Sequence, residues 1–293
     1  MKSVPRLLII GCGDVALRAA PALRKKFRLF GLTRTTENFP SLRFHGITPL
    51  LGDLDVPWTL RRLGGIADCV LHTAPPPNRG GFDTRTRHLL TALSKGEMLP
   101  QRIVYISTSG VYGDCGGANI DETRTVNAQT PRALRRVDAE RRLRLWSMES
   151  GCRLSILRAP GIYAAERLPL ERLHKRIPVL NEAEDVYTNH IHADDLAAAC
   201  VAALFYGRPQ RTYNICDGQD KKMGDYFDLV AQCFGLQKPP RVSRLEAEAS
   251  IAEPGLSFMR ESRRLQNRRM LKELRLRLKY PSVDLFLADA AGA

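Results

Sequence analysis

At 293 residues the chain is long enough for one large α/β body, or for a nucleotide domain with a smaller lobe. Its 44% hydrophobic content is ordinary for a globular protein, and no stretch approaches the roughly 20 uninterrupted apolar residues of a bilayer span, so no membrane partner is expected. The formal charge of +14 raises nucleic acid as a partner, but half of it comes from residues 260–279, with nine Lys/Arg against two Glu, and neither a recognition helix nor an aromatic platform accompanies it; nucleic-acid binding is not expected.

In chain order, Met1 to Ile10 carries Lys2 and Arg6, and its short apolar run flows into a glycine turn instead of a cleavage site. This predicts no export signal and a cytoplasmic location. Arg6–Ile10 reads as a buried parallel strand, residues 15–26 as a helix, and 28–33 as a second strand. Further strands are expected at 48–51, 68–73, 102–107 and 153–158, with helical patterns between most of them. Such alternation predicts a Rossmann-type, doubly wound parallel sheet covered on both faces.

Beyond Arg158 the rhythm loosens, as Pro160, Pro169 and Pro178 cut the chain into short pieces. Residues 1–160 therefore read as the nucleotide domain and 161–293 as a smaller substrate lobe, which returns to the sheet with a strand at 212–216. His190 and His192 flank Ile191 at period two and share one face of a strand, in a fold-holding or substrate-lining role. No third ligand stands at metal spacing, so no metal is expected. Asp194 and Asp195 start the next helix, 196–206. Leu271, Leu274 and Leu278 predict an amphipathic C-terminal helix with a solvated basic face. Seven cysteines are scattered singly, without a CxxC pair, and read as reduced thiols.

The sharpest signal is Gly11-Cys12-Gly13-Asp14-Val15-Ala16, which matches GxGxxA between a strand and a helix. Gly11 allows the tight turn, Gly13 lets a pyrophosphate approach the backbone, and Ala16 permits close packing of helix on strand. The helix amides then face the negative charge. An acidic residue that would grip the adenosine ribose is missing at the end of the second strand, where Arg34 stands instead. An arginine there accommodates a ribose 2′-phosphate, so NADP is favoured, with NAD as the alternative.

With these residues in view, the chain resembles an atypical member of the extended short-chain dehydrogenase/reductases, the NAD-dependent epimerase/dehydratase group. The resemblance rests on the glycine turn, Gly52-Asp53-Leu54, His72-Thr73-Ala74-Pro75, and the run from Ser107 to Gly113. It continues through 157–163, 189–195, 213–218 and 262–265, nearly the whole chain. It implies that Asp53 and Leu54 lie against the adenine and that Thr73, Ala74 and Pro75 border the cofactor.

The family's chemistry uses a Ser/Thr with a Tyr and a Lys in a YxxxK pair. Thr108 occupies the Ser/Thr position. Aligning Glu140 with the glutamate that follows the pair puts Arg132 at the tyrosine position and Arg136 at the lysine position. Arg136 keeps a charge for a ribose or phosphate, whereas Arg132 cannot shuttle a proton. Tyr112 and Tyr163 are the candidate substitute acids, Tyr112 first because it shares a turn with Thr108, against the plainer reading of Tyr112 as a packing residue. A nucleotide-sugar dehydratase is disfavoured, since Ser109-Gly110 replaces that group's acidic pair. The expected activity is an NADP-dependent oxidoreductase or epimerase acting on a small polar substrate. The rival is a non-catalytic dinucleotide-binding redox sensor or scaffold. A homo-oligomer stays open.

Overall fold

The computed structural model describes residues 4–253 and 255–291; Met1 and Lys2, invoked above for the absence of an export signal, lie outside them. The first strands are β1 (Arg6–Ile10), β2 (Arg28–Thr33), β3 (Ile47–Leu51), β4 (Cys69–His72) and β5 (Arg102–Thr108). After the two-residue β6 (Asn119–Ile120) comes β7 (Arg153–Ala159). The short β8 (Gly161–Tyr163), β9 (Val179–Leu180), β10 (Tyr187–Thr188) and β11 (His190–His192) follow, and then β12 (Arg211–Asn214). Seven of these form one sheet in the order β12-β7-β5-β4-β1-β2-β3, with every neighbouring pair parallel.

The continuous apolar run of β1 follows from burial on both faces. Leu7 and Ile9 enter one core and Leu8 and Ile10 the other, all four fully buried. The first core lies under α1 (Asp14–Leu23) and, later in the chain, α6 (Ala193–Tyr206). These two helices meet through Ala16, Ala19, Ala20, Ala197 and Ala203, whose small side chains permit close approach. The second core lies under α3 (Thr84–Leu93) and α4 (Pro131–Ser150), with Leu89, Leu93, Ala139 and Leu143 facing the sheet. The short α2 (Phe39–Phe44) and α5 (Leu170–His174) precede and follow these central pieces.

From β1 the chain winds outward to β2 and β3, then jumps back to β4 and winds the other way. The reversal falls between β1 and β4 and opens a crevice at their C-terminal ends, where such sheets hold ligands. A separate apolar cluster, containing Tyr163, Leu180, Phe227, Met259 and Phe286, is built entirely from residues after 160.

Two expectations about the second half meet different fates. Ile191 points into the main core, while His190 and His192 face the second cluster: His190 stacks 4.3 Å from Tyr226, and His192 lies 4.1 Å from Tyr280. His192 Nδ1 also accepts the Asp194 amide at 3.1 Å and so caps α6. The single C-terminal helix, in contrast, is not formed. Arg264–Leu265 pairs as a strand with β6, a six-residue helix follows at Arg268–Glu273, and the chain then runs irregularly past Lys279. Met270, Leu274 and Leu276 fill the main core, while Leu271 is left exposed. The basic face is also not uniformly solvated. Arg263, Arg264 and Arg269 donate to the carbonyls of Gly113, Gly117 and Thr212. A strand pairing and three backbone carbonyls, all distant in sequence, outweigh the local leucine spacing.

Candidate active site

The glycine turn sits at the crevice. Gly11 has φ +91°, a conformation that side chains rarely adopt, and a Cβ there would lie 2.5 Å from the Ala74 amide nitrogen. Thr73 closes the same contact by donating its hydroxyl to the Gly11 carbonyl. Gly13 differs: a Cβ built there meets nothing within 4 Å, so it faces open space. No side chain caps α1, so its first amides are left for an external acceptor. These features fit a dinucleotide pyrophosphate. Val15 and Ala16 lie on the buried side of the helix and hold it against the sheet.

Asp14, the first residue of α1, puts a carboxylate beside this anion site. Its charge is countered by Arg18 at 2.6 Å and Arg167 at 3.0 Å. Arg18 also bonds Asp194 at 2.6 Å and pairs with Glu166, tying α1 to two segments of the second half.

On one side of the turn lies a cavity of about 410 Å³, bordered by Arg34, Asp53, Leu54, Ala74 and Pro75. The expected adenosine residues are therefore gathered in one place. Arg85, on α3, lines it as well, a residue that sequence reasoning missed. Its guanidinium is engaged by Asp55 at 2.6 and 2.9 Å and by the Pro75 carbonyl at 3.2 Å, and the Asp55 carboxyl is held below its ordinary range by these contacts. Arg34 has no such partner among the described residues.

On the other side lies a cavity of about 420 Å³ that contains Thr108 and Arg136 and shares Pro75 with the first. Pro76 and Pro77 continue that wall. Thr108 ends β5, and its hydroxyl oxygen accepts the Gly110 amide at 3.2 Å, leaving the O–H to donate. Arg136 projects from α4 and donates to Tyr105 Oη at 2.9 Å and to the Ile106 carbonyl at 2.7 Å. Burial pushes the Tyr105 phenol up to about 12. Arg132 lies one turn earlier on the same helix and lines the same cavity, its guanidinium 4.6 Å from the Phe258 ring. Arg135, Arg167 and Arg263 complete a basic wall that sequence reasoning did not assemble, because its members come from three separate parts of the chain.

Tyr112 does not join them. It is fully buried, donates its hydroxyl to Asn214 Oδ1 at 2.7 Å, and lies under the Arg158 guanidinium at 4.7 Å. Burial raises its pKa. The packing reading of the turn is the one the geometry favours. Tyr163 is likewise enclosed, within the second apolar cluster. Arg158, above Tyr112, is fixed by two hydrogen bonds to Glu140 at 2.6 and 3.0 Å, a pair of which both members are buried. Glu140 thus anchors the helix that carries Arg132 and Arg136 to the strand beyond β5.

Comparison with known proteins agrees with this architecture. The family model described as NAD dependent epimerase/dehydratase family matches residues 82–216. GDP-6-deoxy-D-mannose reductase of Pseudomonas aeruginosa is 26% identical over 212 residues, 62% of this chain and 69% of that protein. A functionally unknown conserved protein from Silicibacter pomeroyi shares the fold with a TM-score of 0.78 at 26% identity, with 98% of each chain covered. UDP-glucuronic acid 4-epimerase from Bacillus cereus, solved in complex with NAD, aligns with a TM-score of 0.75 at 17% identity, with 96% of each chain covered. Residues 82–216, which carry β5, Thr108 and α4, are thus similar to the NAD dependent epimerase/dehydratase family.

Proposed function

We propose that the chain is an NADP-dependent oxidoreductase or epimerase acting on a small polar substrate. The observation that carries this reading is the pair of cavities meeting at Pro75, with Arg34 at one end and Thr108 at the other. In this reading Gly13 and the α1 amides hold the pyrophosphate, Asp53 and Leu54 border the adenine, and Arg34 pairs with a 2′-phosphate. Ala74 and Pro75 border the cofactor, Pro75 where the cavities join, with Thr73 behind them on the Gly11 carbonyl, and residues 161–293 act as the substrate lobe, with Gly161, Ile162, Tyr187 and Thr188 supplying the far wall of the second cavity.

A bound nicotinamide dinucleotide would supply hydride chemistry at this cavity. Thr108 donates its hydroxyl to the substrate oxygen, and the fixed charges of Arg132 and Arg136 stabilise negative charge that develops there. Neither arginine gives up a proton, so proton exchange falls to water or to the substrate's own groups.

Calorimetric titration of NADPH and NADH tests the cofactor assignment. NADPH is expected to bind more tightly, and Arg34→Ala to remove about 1.5–3 kcal/mol of that preference, the range for hydrogen bonds to charged groups. Equal affinities in wild type and variant would overturn it. The second reading, a redox sensor, is favoured by the enclosure of Tyr112 together with Arg132 and Arg136 at the proton-handling positions. Tight NADPH binding without turnover on aldehydes, ketones and nucleotide sugars would select it.

A further inference from the structure

The cavity around Thr108 holds more positive charge than its own carboxylates balance. Arg132, Arg135, Arg136 and Arg263 line it, and among the described residues Glu261 is the one carboxylate that lines it with them. Glu261 is already engaged, 2.8 Å from Arg263 Nη1. Arg167, also on the wall, is taken up by Asp14.

The donors of this cluster are only partly used. Arg135 is 7% exposed and gives one N–H to the Gly80 carbonyl at 2.9 Å, while its Nε is buried without a partner. Arg263 Nε is buried and unpartnered too. The Arg132 guanidinium makes no hydrogen bond among the described residues and rests against the Phe258 ring. Burial lowers the Arg132 pKa; Glu261 acts against that, and the charges of Arg136, Arg263 and Arg135 add to it. Four guanidinium groups facing one carboxylate repel one another, and buried donors without acceptors are costly. An anion placed between them relieves the repulsion, and the planar guanidinium fork matches carboxylate and phosphate geometry.

We infer that this cavity binds its substrate through a doubly charged anionic group, a phosphate or a pair of carboxylates, held by Arg132 and its arginine neighbours beside Thr108. The inference rests on the proposal that this cavity is the substrate end of the dinucleotide site, and it names the substrate class. The anion lies at the reacting end, at the positions where the family resemblance puts tyrosine and lysine, and not at the α1 turn, where the cofactor's own phosphates belong. An uncharged ligand would leave the repulsion in place.

Titration calorimetry of inorganic phosphate and of malonate into the full chain, at constant ionic strength set with chloride, tests this with and without saturating NADPH. One of the two anions is expected to bind saturably and not to compete with NADPH; which one it is distinguishes a phosphate from a dicarboxylate substrate. Arg132→Gln should weaken that binding by about tenfold to a hundredfold, as for loss of hydrogen bonds to a charged group, with NADPH affinity kept. Arg132→Lys, which keeps the charge and loses the fork, should fall between. Gly13→Val should leave anion binding intact. The inference is overturned if neither anion binds, if the Arg132 variants bind as wild type does, or if Gly13→Val abolishes the binding and thereby places the anion on the α1 turn. Failure of the cofactor proposal shows separately, as absence of NADPH binding to the wild-type chain.

Discussion

The glycine turn and the cavity around Thr108 are built by different means. The glycine turn depends on backbone: a glycine at positive φ against the Ala74 amide, a second glycine facing open space, and a helix without a side-chain cap. The cavity around Thr108 depends on side chains brought from α4, the 161–167 segment and the Arg263 segment, and its charges have no local pattern. A backbone device tolerates few residue types, so it is recognisable in any chain that has it. A side-chain device can be rewritten residue by residue while the scaffold beneath it stays in place.

The largest effect that would sharpen this contrast is at the glycines. Gly13→Val should abolish measurable dinucleotide binding while the protein still folds, because its side chain enters the space meant for the pyrophosphate. Gly11→Ala should instead destabilise the fold, since its Cβ meets Ala74 backbone. Calorimetry with NADPH and thermal unfolding separate the two, and a folded Gly13→Val chain with unchanged affinity would make the turn merely structural.

Next in size is the scaffold under the reaction end. Glu140→Ala strands the buried Arg158 and should cost about 3–5 kcal/mol of stability in chemical denaturation, the range for breaking one partner of a buried pair. A loss comparable to that of an exposed pair would mean that water enters between β7 and α4.

The smallest expected effect is chemical. Thr108→Val should lower kcat by about a hundredfold, near 2.7 kcal/mol, with NADPH affinity nearly unchanged, and Thr108→Ser should restore much of it. Turnover indifferent to Thr108 would detach the chemistry from this turn.

How much was legible in the sequence follows the same division. The strands of the parallel sheet could be read because burial on both faces leaves continuous apolar runs, as in Leu7 to Ile10. Arg34, Asp53 and Pro75 could be placed because they sit at fixed offsets from such strands. The C-terminal segment could not: Leu271, Leu274 and Leu278 fit a helix equally well on paper, and only the distant partners of Leu265 and Arg264, on β6 and at Gly117, decide against it. Arg85, Arg135 and Arg167 were invisible as site residues for the same reason, since each reaches the crevice through contacts across the fold. Arg263 had a faint signal in the Ser262 to Leu265 stretch. Tyr112 went the other way, because its place beside Thr108 in the chain says nothing of which side of the turn it occupies.

The wall shared by the two cavities is Pro75, continued by Pro76 and Pro77. Three successive residues without a backbone N–H form a seam that can accept hydrogen bonds but cannot donate them, and the Pro75 and Pro76 carbonyls already receive Arg85. Each ring also locks one backbone angle, so the spacing between the adenosine end and the reaction end behaves as a fixed length. A ligand that bridges the crevice finds no backbone N–H along this seam, so any hydrogen bond it makes to the three prolines must use its own donors.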